Sequence, residues 1–63
     1  MLKDSLKRAR KRKEFTQEQL AAAAKVSKAT IVDMENGNAN PTLGTIRSVA
    51  DALGVKVETL VKS

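Results

Sequence analysis

Two helix starts set close together constrain this chain more than any other feature. Thr16-Gln17-Glu18-Gln19 has the form of a capping box. In such a box the threonine hydroxyl accepts from the amide of Gln19, while the Gln19 side chain returns to the backbone of Thr16. Phe15, just before the cap, and Leu20, inside the helix, are placed as a hydrophobic staple. Ser27 is a second N-cap. Only Lys25 and Val26 separate the two helices, a break too short for anything but a tight turn. The helix begun at Thr16 should therefore end near Ala24, with Leu20, Ala21 and Ala24 inward. The helix begun at Ser27 should run from Lys28 to about Glu35, with Ile31 and Met34 inward.

The same punctuation divides the rest of the chain. A first helix is expected from Leu2 to Lys13, with Leu2, Leu6, Ala9 and Arg10 on one stripe. Asn36-Gly37 closes the third helix, because Gly37 can take the left-handed conformation of a C-terminal cap. The loop Asn38-Ala39-Asn40-Pro41 carries turn chemistry. Thr42 then caps a fourth helix, in which Leu43, Ile46, Val49, Ala50 and Leu53 recur at helical spacing until Gly54 stops it. A short fifth helix from about Val57 to Lys62 sets Val57, Leu60 and Val61 near the core or near a partner. No strand pattern, repeat or linker interrupts this order. The expectation is an all-α, compact five-helix domain filling residues 1–63, with helices 2 and 3 forming a helix-turn-helix. The small residues Ala21 and Ala24 permit the close helix approach such a corner needs. They are also compatible with an ordinary alanine-rich bundle.

Charge placement narrows the partners. Residues 1–13 hold Lys3, Lys7, Arg8, Arg10, Lys11, Arg12 and Lys13 against Asp4 alone, whereas the remainder of the chain is close to balanced. The net charge of +5 thus resides in the first helix. That asymmetry points to an anionic partner, nucleic acid or an acidic membrane surface, or else to a solvated face that aids solubility. Helix 1 lacks the aromatic anchors of many membrane-surface helices, and its apolar stripe is needed for the core. The longest apolar run, Leu20 to Ala24, is far short of a membrane span, and no signal peptide is visible. With no cysteine or histidine and with carboxylates spread singly among cations, neither a metal site, a cofactor nor an enzyme is expected. The absence of cysteine makes the cytoplasm the simpler location.

Phe15-Thr16-Gln17-Glu18-Gln19-Leu20-Ala21, Val26-Ser27, Ile31 and Glu35-Asn36-Gly37 together resemble the phage repressor and Cro-like helix-turn-helix family, also called the XRE family. Asn40-Pro41-Thr42-Leu43 and Ala52-Leu53-Gly54-Val55 extend the match over essentially the whole chain. The resemblance implies a double-stranded DNA-binding transcriptional regulator, a repressor, with helix 3 in the major groove and helix 2 across the backbone. Lys28, Ala29, Val32 and Asp33, opposite Ile31 and Met34, would then meet base edges. Thr16, Gln17, Ser27, Asn36, Asn38 and Asn40 would meet phosphates, with Gln17 at a positive helix N-terminus. Arg10 and Glu35 match the family's structural ion pair; the alternative is an exposed Arg10 on a phosphate. A homodimer on a two-fold operator is implied, with Val55, Val57, Leu60 and Val61 as its surface unless they only close the monomer core.

Two positions depart from the family pattern. Lys25 stands where glycine is usual, and a left-handed conformation costs a non-glycine residue on the order of 1 kcal/mol. Either the turn differs or Lys25 takes the strain and offers another cation. Asp33 is repelled by phosphates yet can accept from cytosine N4; otherwise it is a solvated position facing away. Lys28 is a cation at a positive helix end, which is easier to understand if it contacts guanine or a phosphate. Ala29 and Val32 could touch thymine methyls or merely allow close approach. A different class of function also fits: an antitoxin-like protein-interaction module that kept the fold and binds DNA weakly. A phage-type repressor, an antitoxin, a restriction–modification controller and a piece of a longer regulator are not separated by these residues.

Overall fold

A computed structural model describes residues 2–38 and 40–61, apart from the side chain of Leu2. Five helices follow one another: α1 (Leu2–Arg12), α2 (Gln17–Ala24), α3 (Lys28–Asn36), α4 (Leu43–Leu53) and α5 (Val57–Val61). No strand occurs among the described residues. The first helix ends one residue earlier than its pattern predicts, because Lys13 and Glu14 turn the chain and Glu14 takes φ 59°. The third runs one residue further, through Asn36. The far end of the expected fifth helix, Lys62, and Ala39 of the α3–α4 loop lie outside the described residues.

The caps explain why the helices start where they do. Gln19 N donates to Thr16 Oγ1 at 3.0 Å and Thr16 N donates to Gln19 Oε1 at 2.9 Å, so the capping box is complete. Ser27 accepts from Thr30 N and Thr42 from Thr45 N, each at 3.2 Å. The exits of α2, α3 and α4 share one closure, in which the cap residue is left-handed and the next amide reaches back across the last turn. Gly37 (φ 77°) and Gly54 (φ 69°) meet that demand without a Cβ; Lys25 meets it at φ 60° with one. The α2–α3 turn is thus the left-handed one, and Lys25 takes the strain.

Packing follows from the apolar spacing. α2 lies against α3 and α4, α1 bridges α3 and α5, and α4 supports α5. Leu6, Leu20, Ile31, Val49, Leu53 and Leu60 are completely buried, with Met34, Ala21, Ala24 and Ala50 nearly so. Fully burying a leucine or isoleucine contributes about 1.5–3 kcal/mol each, so these few side chains carry a domain of this size. Phe15, the chain's only aromatic residue, is half-buried against the same cluster as Leu20. Leu43 departs from the expected stripe, being 60% exposed. It is the first residue of α4, beyond the packing that covers Val49, Ala50 and Leu53.

Candidate nucleic-acid interface

Residues 28, 29, 32 and 33 fall within one broad face of a helix of 3.6 residues per turn, and Ile31 and Met34 fall on the other. The structure keeps that division. Ile31 and Met34 are buried, Lys28, Ala29 and Asp33 are exposed, and Val32 is half-buried at the border. α3 therefore presents a cation, two small apolar side chains and a carboxylate outward, from a helix fixed to the core on its other side.

A buried ion pair fixes the orientation of α3. Arg10 Nε donates to Glu35 Oε2 at 2.6 Å and Nη2 donates to Glu35 Oε1 at 3.1 Å, a two-pronged arrangement that sets direction as well as distance. A third donor, Nη1, reaches the carbonyl of Phe15 at 2.9 Å, tying the α1–α2 connection into the same knot. The side chains are 12% and 3% exposed, so the alternative of a solvent-facing Arg10 is set aside. Gln17 joins them: its Nε2 donates to Glu35 Oε1 at 3.2 Å. Sequence spacing did not reveal this bond, since no local pattern links the first residue of one helix to the end of the next. The Gln17 amide keeps a second N–H, and its backbone N–H is at the opening of α2, where intrahelical partners are lacking.

The remaining polar positions surround this face. Thr16 and Ser27 are exposed caps whose hydroxyl oxygens accept backbone amides, which leaves the hydroxyl proton of Thr16 free to donate outward. Ser27 Oγ also lies 2.8 Å from Thr30 Oγ1, a partner the sequence offered only as a hydroxyl three residues after a cap. Asn38 and Asn40 are exposed in the α3–α4 loop. Asn36 is the exposed last residue of α3, one position before the Gly37 cap. Of the residues assigned to pairing, Leu60 is completely buried within the chain and so is unavailable to a partner. Val55 and Val57 are half-buried against the core, and Val61 is 47% exposed. Leu60 takes the core alternative, which its spacing alone left open because a five-residue helix has too few positions to mark an inner face.

Among the described residues no group of histidine, cysteine or carboxylate side chains is arranged to hold a metal ion, and no helix is long and apolar enough to cross a membrane. The model of the family described as helix-turn-helix matches residues 6–60, from Leu6 in α1 to Leu60 in α5. The immunity repressor protein of Bacillus phage phi105 is 41% identical over 56 residues, which cover 89% of this chain. The matched region makes up 39% of that phage protein.

Proposed function

The chain belongs to the XRE-type helix-turn-helix family, and from that premise we propose that it binds double-stranded DNA as a transcriptional repressor. Residues 1–63 act as one DNA-reading unit. α3 enters the major groove, which is wide enough for a helix, with Lys28, Ala29, Val32 and Asp33 toward the base edges. The single observation that carries this reading is the outward face of α3, held in place by Glu35 on Arg10 and by Ile31 and Met34 in the core. Lys28 suits guanine O6 or N7, Asp33 suits cytosine N4, and Ala29 and Val32 suit thymine methyls. Thr16, Gln17, Ser27, Asn36, Asn38 and Asn40 supply phosphate contacts that set register.

Two copies pair on a two-fold operator, which places the recognition helices about 34 Å apart, one turn of DNA. Pairing uses Val61 with the exposed parts of Val55 and Val57. A single module of this kind covers roughly 600–1,000 Å² on DNA, so a second copy adds the contact that specific binding needs. Repression follows from occupying a site that transcription must cross, and the protein works in the cytoplasm on the nucleoid. Selection from a random duplex library at about 150 mM salt tests the reading, because salt suppresses non-specific phosphate attraction. Enrichment of an inverted repeat with half-sites about 10 bp apart is expected. Failure to enrich any sequence, with binding lost as salt rises, would transfer support to a protein-interaction module.

A further inference from the structure

The cations of α1 do not form one set. Residues two positions apart on an α-helix are turned by about 200° from one another, so Arg10 and Arg12 leave α1 on opposite flanks. Arg10's flank meets α3 through Glu35. The other flank faces α5, where Ser5, Arg8, Ala9, Arg12 and Lys13 form a groove of about 260 Å³ with Val55 of the α4–α5 turn and Thr59 of α5. Ala9 and Val55 are half-buried against the core and give the groove a firm apolar floor. Arg8, Arg12 and Lys13 rim it, exposed, and make no ion pair among the described residues. No carboxylate lines the groove.

We propose that this groove binds a small amphipathic organic anion: a carboxylate carrying a short apolar chain or ring. The guanidinium groups of Arg8 and Arg12, one helical turn apart, present planar forks that match a carboxylate, and Lys13 adds a point charge. The apolar body lies on Ala9 and Val55, and the Thr59 hydroxyl serves the polar end. The groove is slightly smaller than the roughly 300–1,000 Å³ of ordinary small-molecule sites, which limits the occupant to a short run of carbons beyond its carboxylate. A single strand fits less well, because the floor offers no aromatic ring for a base, and a duplex held by α3 lies away from a groove on the opposite flank of α1. The site therefore stands apart from the face of α3, and it shares only Val55 with the proposed pairing surface.

Amide NMR of the whole chain titrated with octanoate tests the assignment. Saturable shifts at Ala9, Arg12, Val55 and Thr59 are expected, with no saturable shift for octyltrimethylammonium, which has the same chain and the opposite charge. Arg12→Gln and Arg8→Gln should each weaken octanoate by about tenfold, the loss of one charge-assisted hydrogen bond. Both positions are exposed, so an unchanged far-UV spectrum accompanies that loss. Non-saturating shifts spread over the chain, equal binding of the cationic probe, or unchanged affinity in both variants would overturn the proposal. So would a DNA duplex that displaces octanoate while shifting the same amides, which would assign these cations to nucleic acid.

Discussion

Removing the Glu35 carboxylate should damage this domain more than removing the whole ion pair. In Glu35→Ala, the Arg10 guanidinium stays in a site where its side chain is only 12% exposed, with the Phe15 carbonyl as its remaining partner. Breaking a buried pair from one side costs about 3–5 kcal/mol, and the partial exposure of Arg10 favours the lower end. A chain of this length has a total stability of roughly 3–9 kcal/mol, so the single variant is near the edge of folding. At about 4–8 °C per kcal/mol, the midpoint should fall by roughly 12–24 °C. Arg10→Met combined with Glu35→Leu replaces both charges with apolar volume and leaves the Phe15 carbonyl without its donor, at about 1–3 kcal/mol. Thermal and urea unfolding, followed by circular dichroism, should rank the double variant above Glu35→Ala and above the two singles that compose it, Arg10→Met and Glu35→Leu. A double variant as unstable as the sum of the two singles would refute the reasoning, since it would mean that the two side chains act independently.

Lys25→Gly should raise stability by up to about 1 kcal/mol, read as a higher midpoint, because the turn already holds φ 60° and glycine removes the strain. Leu60→Ala should cost about 2–5 kcal/mol through a core cavity. Val61→Glu, at an exposed position, should change unfolding by less than about 0.5 kcal/mol while weakening self-association in sedimentation equilibrium. Gln17→Ala should lower affinity for specific and scrambled duplexes alike, with a shallower salt dependence only if other phosphate contacts are lost with it.

Much of the fold was legible because its punctuation is local chemistry. Thr16, Ser27 and Thr42 announce their helices by side-chain bonds made within one turn, and Gly37 and Gly54 announce the ends by a backbone conformation that other residues resist. Arg10 was legible for a related reason: a cation in register with Leu6 must face inward and needs a counter-charge. What could not be read depends on how far each helix projects past its neighbours. Leu43 has the spacing of a core residue and is exposed at the tip of α4, whereas Leu60 could be placed at a partner surface yet closes the core. The bond from Gln17 to Glu35 and the groove between α1 and α5 arise from helices meeting in space, which no single-helix pattern records.

The central claim, that α3 reads base edges, is tested most directly by repeating duplex selection with Lys28→Ala and Asp33→Asn beside the original chain. Both side chains are exposed, so folding should be retained. Each substitution should relax or switch the preferred base pair at one position of each half-site, at about 1–3 kcal/mol of discrimination, and leave the other positions as they were. An unchanged preference at every position, with both variants still binding the selected duplex as tightly as before, would place sequence reading elsewhere and contradict the proposed role of α3.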